Sequence, residues 1–380
     1  MDNRKNLRCW AEINLGAIRH NVGKLNEQLP DNCALMAVVK GEAYGHGMIP
    51  AAMACAEVGV EWFGVATIDE ALYLRENGLF HPILIFGVTP PERAVELSEN
   101  RLSQIVPSLE YAKALCEYAD VADPLSIHIA VDTGMGRLGW WLEEKTMQHV
   151  CDEVCQINAM PQLYIEGLMT QLAWGRGNTQ EALDFSHRQF ELFDVLSDEL
   201  KKHSINPTYR HALNSGGIMN HARRAMDMVR VGHLLFDSLP GAEHIGLCPA
   251  LEMKTTIAFI KELPAGASVG YGCSYRLVKS ARIAVLNVGY SDGYPECFSN
   301  KGKMLLHGKI IPVVGCVCMD QTMVDVTDVP EAKVGDVVTI VGRDGNLGLT
   351  MKDVADQVGG VLNDPISVNI TNRMPRFFKK

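Results

Sequence analysis

No run of about 18 or more apolar residues occurs in this chain, so no membrane-spanning helix is expected. The opening stretch from Met1 to Trp10 carries no apolar core of signal-peptide length. Nor is there a cluster of lysines and arginines. The 35 basic residues are outweighed by 45 acidic ones, and a formal net charge of -10 argues against a nucleic-acid surface. Internal repeats and low-complexity segments are missing too. Cysteine is plentiful but lacks a framework. Its 11 residues are odd in number and scattered, and the only close pairs are Cys151/Cys155 and Cys316/Cys318. Neither pair has CxxC spacing, and no second pair with histidines completes a zinc set. A reduced, cytoplasmic protein with buried thiols and no metal is the reading that follows.

What is present is ample apolar material, 47% of 380 residues, enough for one large or two ordinary domains. Strand-like runs alternate with helical patterns over the first two-thirds of the chain. The runs are Ala34–Val39, Trp62–Ala66, Pro82–Phe86, Ser103–Val106, Leu125–Val131, Ile165–Leu172, Tyr209–Asn214 and Met228–Val231. Eight such units in about 240 residues fit an α/β fold of the (β/α)8 TIM barrel type better than an open sheet. After about Gly241 the texture changes to short, β-branched segments separated by glycine and proline, with one late helical stretch at Lys352–Val358. The expected organisation is a barrel over residues 1–242, whose first dozen or so residues pack with the second domain, and a mostly β domain over 243–380.

The stretch from Ala34 to Gly47 organises the rest. Six apolar residues run straight into Lys40, as in a strand buried on both faces. An amine at the mouth of such a strand is poorly solvated, which lowers its pKa and favours the nucleophilic neutral form. Glycines at 41, 45 and 47 would let backbone approach a ligand closely. A Schiff-base lysine beside a phosphate or cofactor is one reading; a lysine capping a strand end with its head in water is the other. Active-site groups of such barrels lie at the carboxyl ends of the strands. There the sequence puts Lys40, Arg137, Gln171, Asn214-Ser215-Gly-Gly and Arg230-Val-Gly232. One lysine, two arginines and glycine-rich turns suit a small anion and a phosphate held by backbone N–H groups. Ser215 also reads as the N-cap of the helix that follows.

Taken together, these motifs resemble the alanine racemase family, the fold-type III pyridoxal phosphate racemases. The matching elements are Val39-Lys40-x-x-Ala43-Tyr44-Gly-His-Gly, Asp132-Thr-Gly-Met-Gly-Arg137, Asn214-Ser215, Val229-Arg230-x-Gly232, Gly270-Tyr271-Gly, Gly289-Tyr-Ser-Asp-Gly-Tyr294-Pro and Cys318-Met319-Asp320. They follow the family's order, and the resemblance extends from Trp10 to Arg376. It implies pyridoxal 5'-phosphate carried by Lys40 and two acid/base groups, Lys40 and Tyr271, the latter supplied by a second subunit. A homodimer with shared active sites follows. Asn214 falls in the cofactor-binding set, with Tyr44, Ser215 and the backbone at Gly232 at the phosphate and Arg230 at the pyridine nitrogen. The substrate side takes Arg137 and the N–H of Met319 at the carboxylate, with Asp320 and Asp364 nearby.

Four positions depart from the family pattern. Ala130 replaces a lysine that often braces the carboxylate-binding arginine, so an anion such as chloride, or another acid, would have to substitute. Gln171 replaces a histidine, Cys316 an arginine and Asp364 a tyrosine of the pocket. These changes raise a second expectation, a racemase of the same family preferring serine or a larger, basic amino acid. A decarboxylase of the same fold type and a barrel-only cofactor carrier are the further alternatives; Tyr271 and the β domain weigh against the carrier, and the Gly270-Tyr271-Gly and Cys318-Met319-Asp320 motifs favour the racemase over the decarboxylase.

Overall fold

A computed structural model describes residues 6–236, 239, 242–360 and 366–380. The chain divides into two compact units. One comprises Asn21–Ala43 and Ala51–Leu235; the other gathers the N-terminal residues through His20 with Tyr44–Pro50 and Phe236–Lys380.

In the first unit, eight strands pair parallel in the order Met228–Val231, Ala34–Val38, Trp62–Val65, Ile83–Ile85, Leu102–Val106, Leu125–Asp132, Leu163–Met169 and Tyr209–His211. The last and first of these approach each other, with the Arg230 N–H donating to Leu213 O at 3.0 Å, so the barrel is nearly closed. All eight expected strands are present. The seventh in this list begins at Leu163 and stops at Met169, which leaves Gln171 in the loop beyond it.

Alternation along each strand sends every second side chain into the barrel. Met36, Trp62, Leu84, Ile105, Ala130, Met169 and Met228 meet there as one buried cluster, with Tyr209 packed against it. Ala130 is therefore an apolar member of the barrel interior. Polar residues share that interior. His128 lies two residues before Ala130, and its ring sits edge-on to Trp62 at 5.6 Å. Room for this ring comes from Gly167, where a Cβ would stand 2.2 Å from His128 Nδ1.

The second unit is built on one long strand, Leu251–Leu263, which pairs antiparallel with Cys9–Asn14, Ala281–Leu286 and Val337–Asp344. Cys9–Asn14 also pairs parallel with Arg376–Lys379, so the two ends of the chain lie side by side in this sheet. Both end strands are interrupted by charge, which hides them in the sequence. Glu12 is nonetheless buried. Its carboxylate accepts from Trp10 Nε1 at 2.8 Å and pairs with Lys379, with Lys254 at 4.0 Å. Burial pushes this carboxyl up, but those partners together outweigh it and the net shift is down. No described helix is long and apolar enough to cross a membrane.

Gly167→Ala should cost at least about 1–3 kcal/mol, because the added methyl overpacks a buried ring rather than a flexible side chain. A urea-unfolding midpoint equal to that of the unaltered protein would refute the packing described.

Candidate active site

Lys40 lies two residues past the barrel strand Ala34–Val38, and the backbone then turns the wrong way. Gly41, Glu42, Ala43 and Tyr44 all have positive φ, at 60°, 56°, 52° and 54°. Three of them carry side chains, and each left-handed non-glycine residue costs roughly 1–2 kcal/mol. Two hydrogen bonds brace the turn: Ala43 N to Val39 O at 2.8 Å and Gly41 N to Glu70 Oε1 at 2.7 Å. The other oxygen of Glu70 accepts from Ala66 N at 2.7 Å, and the same residue forms a capping box with Thr67 at the start of helix Ile68–Glu76. Glu70 thus fastens the lysine turn to a helix end. Its signal in the sequence is the capping signature Thr67-x-x-Glu70, which by itself marks only a helix start. Burial lowers the Lys40 amine below its ordinary value, Arg137 lowers it further, and Glu70 opposes them.

The glycines after this turn have a different role from the one expected. A Cβ on Gly45 would lie 1.8 Å from Ser367 O, and one on Gly47 would meet the Phe378 ring at 2.9 Å. At these two positions glycine admits the chain's own C-terminal segment. Tyr44 belongs to the same unit, and its ring lies 5.9 Å from Phe236.

Arg230 is 4% exposed, on the strand Met228–Val231. Its guanidinium donates to Thr170 O at 2.7 Å, Gln171 Oε1 at 3.0 Å, His211 O at 3.0 Å and Ala212 O at 3.2 Å. It also meets His211 Nδ1 at 2.8 Å. An arginine can only donate, so Nδ1 accepts and His211 carries its proton on Nε2. That proton goes to His128 Nδ1 at 2.8 Å, and His128 Nε2 donates to Glu166 Oε2 at 3.3 Å. Ser103 donates to the same oxygen at 2.7 Å. A directed hydrogen-bonded row therefore runs through the barrel from Arg230 to a carboxylate. Burial first, then Arg230 and His128, hold His211 well below its ordinary value. Burial likewise lowers His128, against the pull of Glu166. Both rings are neutral near neutral pH, and the positive charge stays on Arg230. Gln171 faces this group, and its amide oxygen serves as a direct acceptor.

Arg137 ends the loop after the strand Leu125–Asp132. Asp132 shapes that loop: its carboxylate accepts from the N–H groups of Gly134, Met135, Gly136 and Arg137 at 2.7 to 3.1 Å. Burial raises this carboxyl, but the four backbone donors outweigh it and keep it below the usual range. The Arg137 side chain is exposed and, among the described residues, makes no hydrogen bond or ion pair. With Ala130 in the barrel interior, no lysine braces it. Arg137 is near enough to depress both Lys40 and Arg230, so three cationic groups converge.

Asn214, not Ser215, caps the helix Ser215–His221, accepting from Gly217 N at 2.9 Å. Ser215 is buried, and its hydroxyl accepts from Gly232 N at 3.0 Å and Leu234 N at 3.5 Å. These residues form one polar turn beside Arg230's strand.

In the second unit Tyr271 follows Gly270 at the tip of the hairpin Ser268–Val269/Tyr275–Arg276 and is 75% exposed. Cys316 donates to Tyr271 O at 3.4 Å and contacts Ser274 Oγ at 3.2 Å. Met319 is 51% exposed. Its loop is fixed by the Gly289–Tyr294 turn, since Tyr290 N donates to Cys318 O and Ser291 N to Met319 O, both at 3.1 Å. Asp320 accepts from Arg373 Nη2 at 2.7 Å, while its backbone oxygen accepts from Arg8. Asp364 lies outside the described residues.

Comparison with known proteins bears on this arrangement. Residues 13–240 match the family model "Alanine racemase, N-terminal domain", and residues 250–378 match "Alanine racemase, C-terminal domain". An alanine racemase of Halothermothrix orenii is 36% identical over 383 residues, covering 100% of this chain and 99% of the relative. One of Methanococcus maripaludis is 34% identical, covering 97% of this chain and 98% of the relative. The solved alanine racemase of Streptomyces coelicolor superposes with a TM-score of 0.91 at 30% identity, covering 99% of each chain. That of Bacillus anthracis, solved with bound L-Ala-P, gives 0.88 at 31%, covering 98% of this chain and 95% of the other.

Two outcomes are expected. Glu70→Ala removes the acceptor for Gly41 and Ala66 and should lower stability by about 1–3 kcal/mol in chemical denaturation; an unmoved midpoint would sink the bracing role. The depressed histidines give a signed pH dependence. The unfolded chain takes up protons below about 6.5 that the folded chain refuses, so their contribution is complete above that pH and is lost as the pH falls through the folded values. His211→Gln should flatten the acid side of the stability profile, and parallel profiles would contradict the assignment.

Proposed function

The chain belongs to the alanine racemase family and is an isomerase that racemises alanine, and we propose that it does so with pyridoxal 5'-phosphate and two bases, Lys40 and Tyr271. The observation that carries this reading is the convergence of a desolvated amine with two guanidiniums at one barrel mouth. A neutralisable amine suits an aldehyde cofactor, and the cations suit a phosphate and a carboxylate. Lys40 would hold the cofactor. Tyr44, Ser215 and the backbone at Gly232 would hold its phosphate, Asn214 would belong to the cofactor-binding set as the cap of the adjoining helix, and Arg230 would meet its ring nitrogen. When bound, the cofactor draws electron density from the substrate and makes its Cα–H acidic.

The chain's own groups do the rest. Arg137 and the N–H of Met319 grip the substrate carboxylate, with Asp320 steadying that loop, so that Cα stays fixed while its proton changes face. Lys40, with its lowered amine, takes or returns a proton on one face; the phenol of Tyr271 does so on the other. Arg230, held by neutral acceptors alone among the described residues, resists surrendering a proton to the ring nitrogen.

Tyr271 is three-quarters exposed on its own chain, which supports a homodimer in which each subunit lends this phenol to its partner. None of the eleven cysteines forms a disulfide, which supports a cytoplasmic setting.

Tyr271→Phe should abolish interconversion, while Lys40 still exchanges the Cα proton of one enantiomer with solvent deuterium. Exchange in both enantiomers would refute the two-base assignment. Co-expressing Lys40→Ala with Tyr271→Phe should restore about a quarter of the activity, since mixed dimers regain one intact site in two. No recovery would rule out shared sites.

A further inference from the structure

A second group of chemically competent side chains lies on the outer helices of the barrel. Cys151 and Cys155 are one turn apart on the helix Met147–Asn158 and so share a face. His203 terminates the next helix, Gln180–Lys202. One ligand atom from each of the three lies within 4.8 Å of the other two. The cluster is the one group of three such donors among the described residues. Around a tetrahedral zinc ion, with metal–sulfur and metal–nitrogen distances of about 2.3 and 2.0–2.1 Å, neighbouring donors stand roughly 3.5–3.8 Å apart. The observed spread needs adjustments of about 1 Å, within the reach of side-chain rotation. In the barrel architecture the carboxyl end of an outer helix faces the side opposite the catalytic mouth.

Two carboxylates, Asp152 and Glu199, lie near the Cys151 thiol. Glu199 precedes His203 by one helical turn and already accepts from Lys202 at 2.6 Å. The three donors grade from buried Cys151 through half-buried Cys155 to exposed His203, which leaves an entry path from solvent. Sequence spacing conceals the set because the third donor comes from a different helix.

We propose that Cys151, Cys155 and His203 bind a zinc-class divalent cation that ties the helix Met147–Asn158 to the carboxyl end of the helix Gln180–Lys202, with water or the Glu199 carboxylate in the fourth position. Two thiolates and an imidazole are a donor set that favours zinc over magnesium or calcium. Bound here, the ion clamps two barrel helices and takes no part in racemisation.

The reduced, full-length holoenzyme is titrated with Zn2+ against a chromophoric chelator, and with Co2+ as an optical probe. One ion per chain, a thiolate-to-cobalt charge-transfer band and a higher unfolding temperature with Zn2+ are expected. Cys151→Ser, Cys155→Ser and His203→Ala should each weaken binding at least tenfold while leaving racemase activity unchanged, whereas Cys248→Ser, at an exposed thiol, should bind as the unaltered chain does. His203 is exposed, so His203→Ala keeps the test decisive if a cysteine variant fails to fold. Absence of binding, or binding undiminished in His203→Ala, overturns the proposal.

Discussion

A guanidinium buried inside a barrel sets the terms for this molecule. Arg230 cannot shed its charge, and an unpaired buried charge would cost more than the fold can supply. The barrel meets this demand with neutral acceptors: three backbone oxygens, the Gln171 amide and the imidazole of His211. His128, Glu166 and Ser103 extend the row, and its donor direction is fixed at one end by arginine and at the other by a carboxylate. Gly167 is glycine because the row passes there. The positive charge is therefore left uncancelled at the barrel mouth, where it can act on an anion or a ring nitrogen.

The same mouth holds the strained turn of Lys40. Its left-handed residues sit between a rigid strand and a capped helix, and Glu70 connects them. Strain of this kind persists only where the surroundings over-determine it. Its benefit is position, since the amine is presented at a strand end, desolvated and beside Arg137. In the other unit, the turn Gly289–Tyr294 and the Arg373–Asp320 pair fix the loop that carries Met319, while Tyr271 stays exposed at a hairpin tip.

Most of the architecture was legible in the residues. Parallel barrel strands are buried on both faces and so read as unbroken apolar runs, as from Ala34 to Val39. The first dozen residues were expected beside the second domain, but Cys9–Asn14 and Arg376–Lys379 were not legible as strands, because Glu12, Arg376 and Lys379 break the pattern and their partners lie at the far end of the chain. Lys40, Arg137 and Arg230 could be found from their places at strand ends. His128 and His211 could not, since a histidine inside an apolar strand gives no sign of what it will face. Glu70 hid as an ordinary capping residue, and the cap itself belonged to Asn214 rather than Ser215. The trio of Cys151, Cys155 and His203 was beyond reach, being assembled by the packing of two helices.

The claim that most needs testing is that the row from Arg230 inward is neutral up to its terminal carboxylate. Nitrogen-15 NMR of the holoenzyme, with imidazoles labelled, reads this directly. Near neutral pH, His128 and His211 should both appear as neutral rings protonated on Nε2. An imidazolium at either position, or the opposite tautomer at His211, would contradict the account.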